Sequence, residues 1–178
     1  MGMHHLAIAV KDIEKTHRFY TEAMGFELVK VEVVPKPGGF VRHVFYSTGS
    51  ERDQLIAFWD YGNVALEKPI KTDISRDLGF DPGVNHIAFS ADDLEDLKRR
   101  RERWLGAGHD VTEIDHGWVH SIYTQDPDGI AVEFAVLTRD LGREDAEEAL
   151  ELLRAENPER SAPPKQMSRH KAKRPGRD

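Results

Sequence analysis

Residues 3–14 read MHHLAIAVKDIE, and residues 84–95 read VNHIAFSADDLE. At one constant offset His5 matches His86, and the agreement continues through an alanine, an aspartate and a glutamate in each segment. The same offset aligns glycines about twenty residues further along both segments. An internal repeat of this length predicts two copies of one structural unit.

Each copy has the pattern of a strand followed by a helix. A short apolar run of strand length comes first, then an aspartate whose carboxylate can cap a helix, and later a glycine that can take the left-handed conformation at its end. In the two copies these are the strands 4–10 and 85–91, the N-caps Asp12 and Asp93, and the terminal glycines Gly25 and Gly106.

Three further strands are predicted in each copy, at about residues 27–34, 40–48, 54–61, 109–115, 117–124 and 130–137. The predicted fold class is therefore α+β, with two paired βαβββ modules forming a curled mixed sheet. The predicted domain covers residues 1–137, divided into module one at 3–61, a linker at 62–83 and module two at 84–137.

The rest of the chain predicts a helix and a basic tail. Residues 138–156 contain a helical pattern from Arg143 to Leu153, whose narrow apolar stripe suits either a sheet edge of its own chain or a second subunit. Residues 157–178 carry a net charge of +5, with seven Lys and Arg against two Asp and Glu. Such a tail is expected to be mobile alone, or to lie on the acidic body or a neighbour.

Composition excludes several classes of protein. The chain has 178 residues and no cysteine, which rules out disulfides, thiolate metal sites and a thiol nucleophile. Residues 1–156 carry a net charge of −12, which argues against a surface that binds nucleic acid. No apolar run approaches the ~18 residues of a membrane span, and the N-terminus lacks a signal-peptide pattern. We expect a soluble cytoplasmic protein that binds neither nucleic acid nor membrane.

Three residues form a candidate metal site. His5 and His86 are equivalent positions in related strands, so their side chains should point the same way in a symmetric pair of modules. Glu133 is the one carboxylate in an otherwise apolar strand that follows the turn at residues 126–129, and a divalent cation would stabilise it there. His4 is the alternative to His5, which is preferred because it matches His86.

Residues 3–137 resemble the vicinal oxygen chelate superfamily, which includes glyoxalases, extradiol dioxygenases, methylmalonyl-CoA epimerases and bleomycin-resistance proteins. The resemblance rests on an ordered set of short pieces: His5-Leu-Ala-Ile, Asp12-Ile-Glu, Phe19-Tyr20, Asn85-His86-Ile-Ala and Asp126-Pro-Asp-Gly with Glu133. It implies paired βαβββ modules curled around a divalent metal held by His5, His86 and Glu133.

One position separates the reactions of this superfamily. In the superfamily that this chain resembles, glyoxalase-type isomerases and lyases usually carry a fourth metal ligand, Glu or Gln, on the last strand of the first module. Sequence alignment of the modules puts Ala57 opposite Glu133, and alanine cannot coordinate a metal. Gln54 is nearby but should face the other side of a regular strand, unless a bulge turns it.

Two histidines and one carboxylate form the facial triad of non-haem Fe(II) oxygenases. The run from His116 through Tyr123 to Glu133 resembles the extradiol dioxygenase pattern, in which the matching histidine and tyrosine line the substrate pocket. His116 and Tyr123 are therefore the candidate catalytic residues, each with a plain alternative as a turn or packing residue. An acid–base role for His43 or His120 stays open.

The leading hypothesis is an Fe(II)-dependent dioxygenase that uses O₂ and a small vicinal-oxygen substrate such as a catechol. The first alternative is a glyoxalase- or epimerase-like lyase or isomerase that uses Ni(II), Zn(II) or Co(II), with Gln54 or water completing the metal shell; Mn(II) is a further candidate metal. The second is a protein that sequesters a drug or metabolite. The resemblance also implies a homodimer.

Overall fold

Each repeat folds as one βαβββ module. In the computed structural model, which describes residues 3–49 and 54–172, the first module contains β1 (His5–Val10), α1 (Ile13–Arg18) with a π-helical turn at Phe19–Ala23, β2 (Glu27–Lys36), β3 (Gly39–Ser47) and β4 (Leu55–Asp60). Its sheet has the order β1-β4-β3-β2, with β1 parallel to β4 and the other pairs antiparallel.

The second module repeats this topology. It contains β5 (His86–Ser90), α2 (Leu94–Gly106), β6 (Val111–Asp115), β7 (Val119–Gln125) and β8 (Ala131–Leu137). Its sheet has the order β5-β8-β7-β6, again with the first and last strands of the module parallel. The α+β class and the paired modules predicted from the sequence are thereby confirmed.

The predicted helix caps are mostly correct. Asp12 and Asp93 precede their helices, and their carboxylates accept from the backbone N–H groups of Lys15 and Asp96. Gly25 takes the left-handed conformation with φ of 79°, as predicted. The prediction for Gly106 is wrong, because Gly106 is the last helical residue and Gly108, with φ of 90°, makes the left-handed turn.

Residues beyond the second module form α3 (Arg143–Arg154) and β9 (Gln166–His170). β9 pairs antiparallel with β6 and adds a fifth strand to the second sheet, so this part of the basic tail lies on the body. No strand was predicted in this segment. α3 buries none of its own residues against the described chain. The last predicted tail residues, 173–178, lie outside the described residues.

The two modules share one core on the helix side of their sheets. Tyr20, Phe26 and Phe58 of the first module belong to the same buried cluster as Trp104 and Phe134 of the second. Ring contacts between Phe26 and Phe89, at 4.9 Å between centroids, join the modules directly. The opposite faces of both sheets, which carry His5 and His86, stay outside this shared core.

Hydrogen bonds connect the turn before β8 to the first module and the linker. The Tyr20 hydroxyl donates to Asp126 at 3.1 Å, and the Thr72 hydroxyl donates to Asp128 at 2.7 Å. The Lys11 backbone N–H also donates to Asp128, at 3.0 Å. The Asp-Pro-Asp-Gly turn therefore fixes the start of β8 relative to α1 and the linker.

Within residues 3–49 and 54–172, every helix is too short or too polar to cross a bilayer.

Candidate metal centre

β1 and β5 each present a histidine on the face turned away from the helices. In β1 the side chains of His5 and Ala7 are exposed, whereas Leu6 between them turns towards the core. In β5 His86 and Ala88 are exposed in the same way, whereas Ile87 is buried. Strand alternation therefore gives both histidines equivalent positions, as the repeat predicts.

His86 and Glu133 form a close pair. Nε2 of His86 lies 3.1 Å from Oε2 of Glu133, and the Glu133 side chain is only 7% exposed. Nδ1 of His86 lies 2.9 Å from the Gly83 carbonyl oxygen, which can only accept, so Nδ1 carries a proton and donates it. This contact fixes the ring orientation, as the outer hydrogen bonds of metal-bound histidines do.

The pair needs a positive charge between its two atoms. With the proton on Nδ1, a neutral His86 ring directs the Nε2 lone pair at a carboxylate oxygen, and two acceptors at 3.1 Å repel each other. A proton shared by these two atoms or a bound cation removes this repulsion. Metal–donor distances of about 2.0–2.2 Å place adjacent donors roughly 3 Å apart, which matches the spacing of these two atoms.

Tyr123 and His116 lie next to this pair. Tyr123 stands opposite Glu133 in the β7–β8 register, and its ring centroid is 6.2 Å from that of His86. The hydroxyl of Tyr123 lies 3.4 Å from Nε2 of His116, in the turn between β6 and β7. Burial and, after it, the Glu133 carboxylate raise the pKa of Tyr123 to about 12, so its hydroxyl keeps its proton at neutral pH.

A cavity of about 660 Å³ opens beside His86 and Tyr123, a size suited to a small-molecule ligand. Its other walls come from the end of the linker and from β6 and β8, and include Pro82, Gly83, His109, Thr112, Ile114 and Ala131. Sequence reasoning missed Gly83 and Thr112. The Pro82-Gly83 turn, three residues before His86, was the available signal for Gly83, whereas Thr112 gave none.

His5 lies apart from this group within one chain. Its Nδ1 is 2.8 Å from Nδ1 of His4, and its ring contacts His43 and Phe45 of the same sheet. Among the described residues, no three His, Asp or Glu side chains are placed to share a metal ion. The structure thus brings together four of the five predicted site residues, His86, Glu133, Tyr123 and His116, but not His5.

Strand register resolves the position of a possible fourth ligand. Ala88 pairs with Glu133 in the second module, and the equivalent pair in the first module is Ala7 with Ala57. Ala57 is therefore the structural counterpart of Glu133, as the sequence alignment predicts. Gln54 precedes β4 and lines a groove on the helix side together with Leu6, on the face opposite to His5.

The two histidines considered for acid–base chemistry have different surroundings. His120 lies 3.0 Å from the Glu113 carboxylate, in a cluster that holds β9. His43 lies on the same face as His5, and its ring stacks on Trp59 with 3.8 Å between centroids. Burial lowers the pKa of His43; the Glu32 carboxylate opposes this shift, and the neighbouring His5 ring adds a smaller lowering of its own. Its Nε2 is buried without a hydrogen-bond partner among the described residues.

The chain belongs to the Glyoxalase/Bleomycin resistance protein/Dioxygenase superfamily, whose family model matches residues 2–134. This match runs from before β1 into β8 and stops before α3. The resemblance stated from the ordered sequence pieces is thereby confirmed.

Relatives in this superfamily catalyse different reactions. The chain is 28% identical over 137 residues to mitochondrial methylmalonyl-CoA epimerase of Mus musculus, covering 74% of this chain and 70% of that protein. It is 29% identical over 136 residues to lactoylglutathione lyase of Neisseria meningitidis serogroup B, covering 75% and 89%. It is also 29% identical over 137 residues to 2,2',3-trihydroxybiphenyl dioxygenase of Sphingomonas paucimobilis, covering 74% of this chain and 40% of that protein.

Solved structures share the fold. SMU.1112c superposes with a TM-score of 0.57 at 23% identity, covering 76% of this chain and 98% of that one. The fosfomycin resistance protein FosX from Listeria monocytogenes, solved with Mn(II) and sulfate, has a TM-score of 0.52 at 20% identity and covers 82% and 97%. These likenesses describe the architecture, and the named relatives include enzymes of three kinds.

Proposed function

We propose that this protein is a divalent-metal enzyme of the dioxygenase type, acting on a small substrate with two neighbouring oxygens, such as a catechol. The observation that carries the proposal is the grouping of His86, Glu133, Tyr123 and His116, of which His86 and Tyr123 line one cavity, with alanine at the position of a fourth ligand. Fe(II) is the proposed metal, because two histidines and one carboxylate leave coordination positions free for substrate and O₂.

The residues present fit a metal at two of the three proposed ligands. His86 and Glu133 have suitable donor atoms at suitable spacing, and their mutual contact calls for a cation or a proton. His5 is the proposed third ligand, supplied by a second copy of the chain. β1 and β5 support this arrangement, because each is an edge strand of its sheet and each carries its histidine on the exposed face.

A homodimer can complete the site if β1 of one copy lies beside β5 of the other. Each of two equivalent sites would then combine His5 of one chain with His86 and Glu133 of its partner, as expected for a two-fold symmetric contact. Pairing of the free strand edges would also satisfy backbone groups that are open in a single chain. The proposed location of this dimer is the cytoplasm.

When bound, the metal supplies Lewis acidity to paired substrate oxygens and, as Fe(II), a position for O₂. The chain supplies orientation and protons. Tyr123 keeps its hydroxyl proton and can donate it in a hydrogen bond to a substrate oxygen. His116, with Nε2 at 3.4 Å from that hydroxyl, would position it. Gly83 holds the His86 ring so that Nε2 faces the site.

Anaerobic reconstitution with Fe(II), followed by oxygen uptake with a panel of catechols, tests this function. We expect uptake of one O₂ per ring opened with at least one catechol, because a dioxygenase adds both oxygen atoms to its substrate. Glu133→Gln should abolish uptake, whereas Asp140→Asn, a change at an exposed position outside the site, should leave it unchanged. Absence of uptake with every diol would contradict the proposal.

A lyase or isomerase is the second candidate function, favoured by the similarity to an epimerase and to lactoylglutathione lyases. Such a reaction needs proton transfer at a carbon next to a carbonyl and no O₂. Exchange of that proton with deuterated water, after loading with Ni(II), Zn(II), Co(II) or Mn(II), would support it. Sequestration of a drug or metabolite is the third, and a folded, ligand-binding protein that takes up no metal during purification would support it.

A further inference from the structure

A second cavity, of about 580 Å³, lies between the two modules on the helix side of both sheets. We call it the module groove. Its apolar walls come from both modules, and its polar wall comes from α2; the residues used below are Leu6, Met24, Phe89, Arg99, Arg100 and Arg103. Leu6 and Phe89 turn away from the face that carries His5 and His86, so the groove is separate from the candidate metal centre.

The polar wall of the groove has a surplus of positive charge. Arg99 and Arg100 both donate to the carboxylate of Asp96, at 3.1 and 2.7 Å. Arg103 donates to the backbone carbonyls of Thr21 and Glu22, and it forms no ion pair with any carboxylate of the described residues. Three guanidinium groups therefore face the groove with the carboxylates of Asp92 and Asp96, leaving a net charge of about +1.

The apolar part of the groove continues directly from these arginines. The guanidinium of Arg100 lies 4.1 Å from the ring centroid of Phe134, which also lines the groove. Leu6 and Met24 come from the first module and Phe89 from the second, so a ligand along this wall would contact both modules. The groove has the volume and the mixture of apolar walls with few charged groups that small-molecule sites have.

We propose that the module groove binds a small amphipathic organic anion, with a single carboxylate at Arg99 and Arg103 and an aliphatic body along Leu6, Met24 and Phe89. The net positive charge of the groove favours an anionic ligand. A charge of about +1 balances one carboxylate and would leave a second carboxylate uncompensated. Guanidinium groups suit carboxylates because their N–H groups match the two oxygens. The proposed ligand contacts use none of the proposed metal ligands, although Leu6 and Phe89 lie on β1 and β5, the strands of the proposed dimer contact.

Calorimetric titration with decanoate, decanol and decyltrimethylammonium tests the selection for an anion, with the two ions below their micellar concentrations and decanol below its solubility limit. We expect saturable binding of decanoate at about one molecule per chain, at least tenfold weaker binding of decanol, and none of the cation. Similar binding of all three amphiphiles would overturn the proposal, since it would indicate nonspecific association with apolar surface.

Variants locate the site. Arg103→Gln should weaken decanoate binding at least tenfold, and Arg103→Lys should restore part of it. Because Arg103 also joins the modules, Arg99→Gln provides a second variant at an exposed side chain with one ionic partner, Asp96. Arg143→Gln is the matched control, an exposed arginine on α3. Unchanged affinity in both Arg103→Gln and Arg99→Gln would overturn the assignment.

The fluorescence of Trp104 can detect ligand binding in the groove independently of enzyme activity. Its ring is 5.4 Å from that of Phe134, directly behind the groove, and the chain has three tryptophans. In a Trp59→Phe, Trp118→Phe background, decanoate should change Trp104 emission with the same saturation curve as the heat signal. Heat without any change in Trp104 emission would place the ligand elsewhere and contradict the proposal.

Discussion

At the scale of single residues, the pair of His86 and Glu133 is the central feature of the candidate site. The sequence could predict that both side chains face one side of the second sheet, because side chains alternate between the two faces of each strand and the internal repeat relates the strands. The Pro82-Gly83 turn marks the segment that precedes His86, but the sequence could not predict that the Gly83 carbonyl fixes the His86 ring, since every residue carries a backbone carbonyl. The chemistry of this pair follows from a buried carboxylate that needs a positive partner.

Glu133→Gln separates metal binding from folding. The variant removes a ligand charge, so we expect metal affinity to fall by more than the roughly 10–100-fold that follows loss of a hydrogen-bond partner of a metal ligand. The metal-free variant should be at least as stable as the metal-free parent, because a buried carboxylate is replaced by a neutral amide. Metal titration and thermal unfolding in chelator measure the two effects. Strong destabilisation of the metal-free variant would indicate a purely structural carboxylate.

Asp126 gives a pH-dependent prediction. Burial, with a smaller contribution from the neighbouring Asp128 carboxylate, raises the pKa of Asp126 to about 6, although N–H groups of Ile130 and Asp128 oppose the shift. The folded state therefore holds this proton more tightly than the unfolded state. The resulting stabilisation is present below about pH 4 and is lost as the pH rises to about 6; a pKa difference of about 2 corresponds to roughly 3 kcal/mol.

Asp126→Asn should remove this dependence, because an amide resembles the protonated acid in shape and hydrogen bonding. We expect parent and variant to unfold at similar temperatures at pH 4, and the variant to be the more stable at pH 7.5. Asp140→Asn, at an exposed site, is the control. A constant difference between Asp126→Asn and the parent across pH 4–7.5 would show that Asp126 does not titrate in this range.

At the scale of elements, the strands of both modules were predictable and β9 was not. Alternating apolar residues and glycine turns mark β1 to β8, and the helix from Arg143 was predicted to within one residue of its observed end at Arg154. Residues 166–170 read QMSRH, without apolar alternation. This strand forms because β6 offers an open edge and because Glu113 binds His170, neither of which is visible locally.

Glu113→Gln should loosen β9. Glu113 accepts from Arg101 at 2.7 Å, from His120 at 3.0 Å and from His170 at 2.8 Å, so its carboxylate joins α2, β7 and β9. Losing these charged contacts should speed hydrogen exchange of the β9 amides by about tenfold or more, relative to amides of β1 and β4. Glu102→Gln, which removes an exposed partner of Arg101, is the control. Equal protection of β9 in both variants would exclude this role for Glu113.

At the scale of the whole molecule, the sequence could predict two similar modules but not the face by which they meet. The repeat shows that the two modules are similar, whereas the face by which they pack depends on where each module exposes apolar side chains to the other. Phe26, Phe89 and Phe134 join the modules on the helix side, so the sheet faces with His5 and His86 are not brought together within one chain. This is why the proposed site takes His5 from a second copy of the chain.

Subunit mixing tests this arrangement. His5→Ala and Glu133→Ala variants should each lose the metal when alone. If two chains share each site, half of the dimers formed after random mixing contain one chain of each kind, and one of their two sites is intact. Metal content should then recover to about a quarter of the parental value. A site contained within one chain predicts no recovery, because every chain in the mixture lacks one ligand. Metal analysis of the mixture, with each variant refolded separately as the control, therefore distinguishes a shared site from a self-contained one.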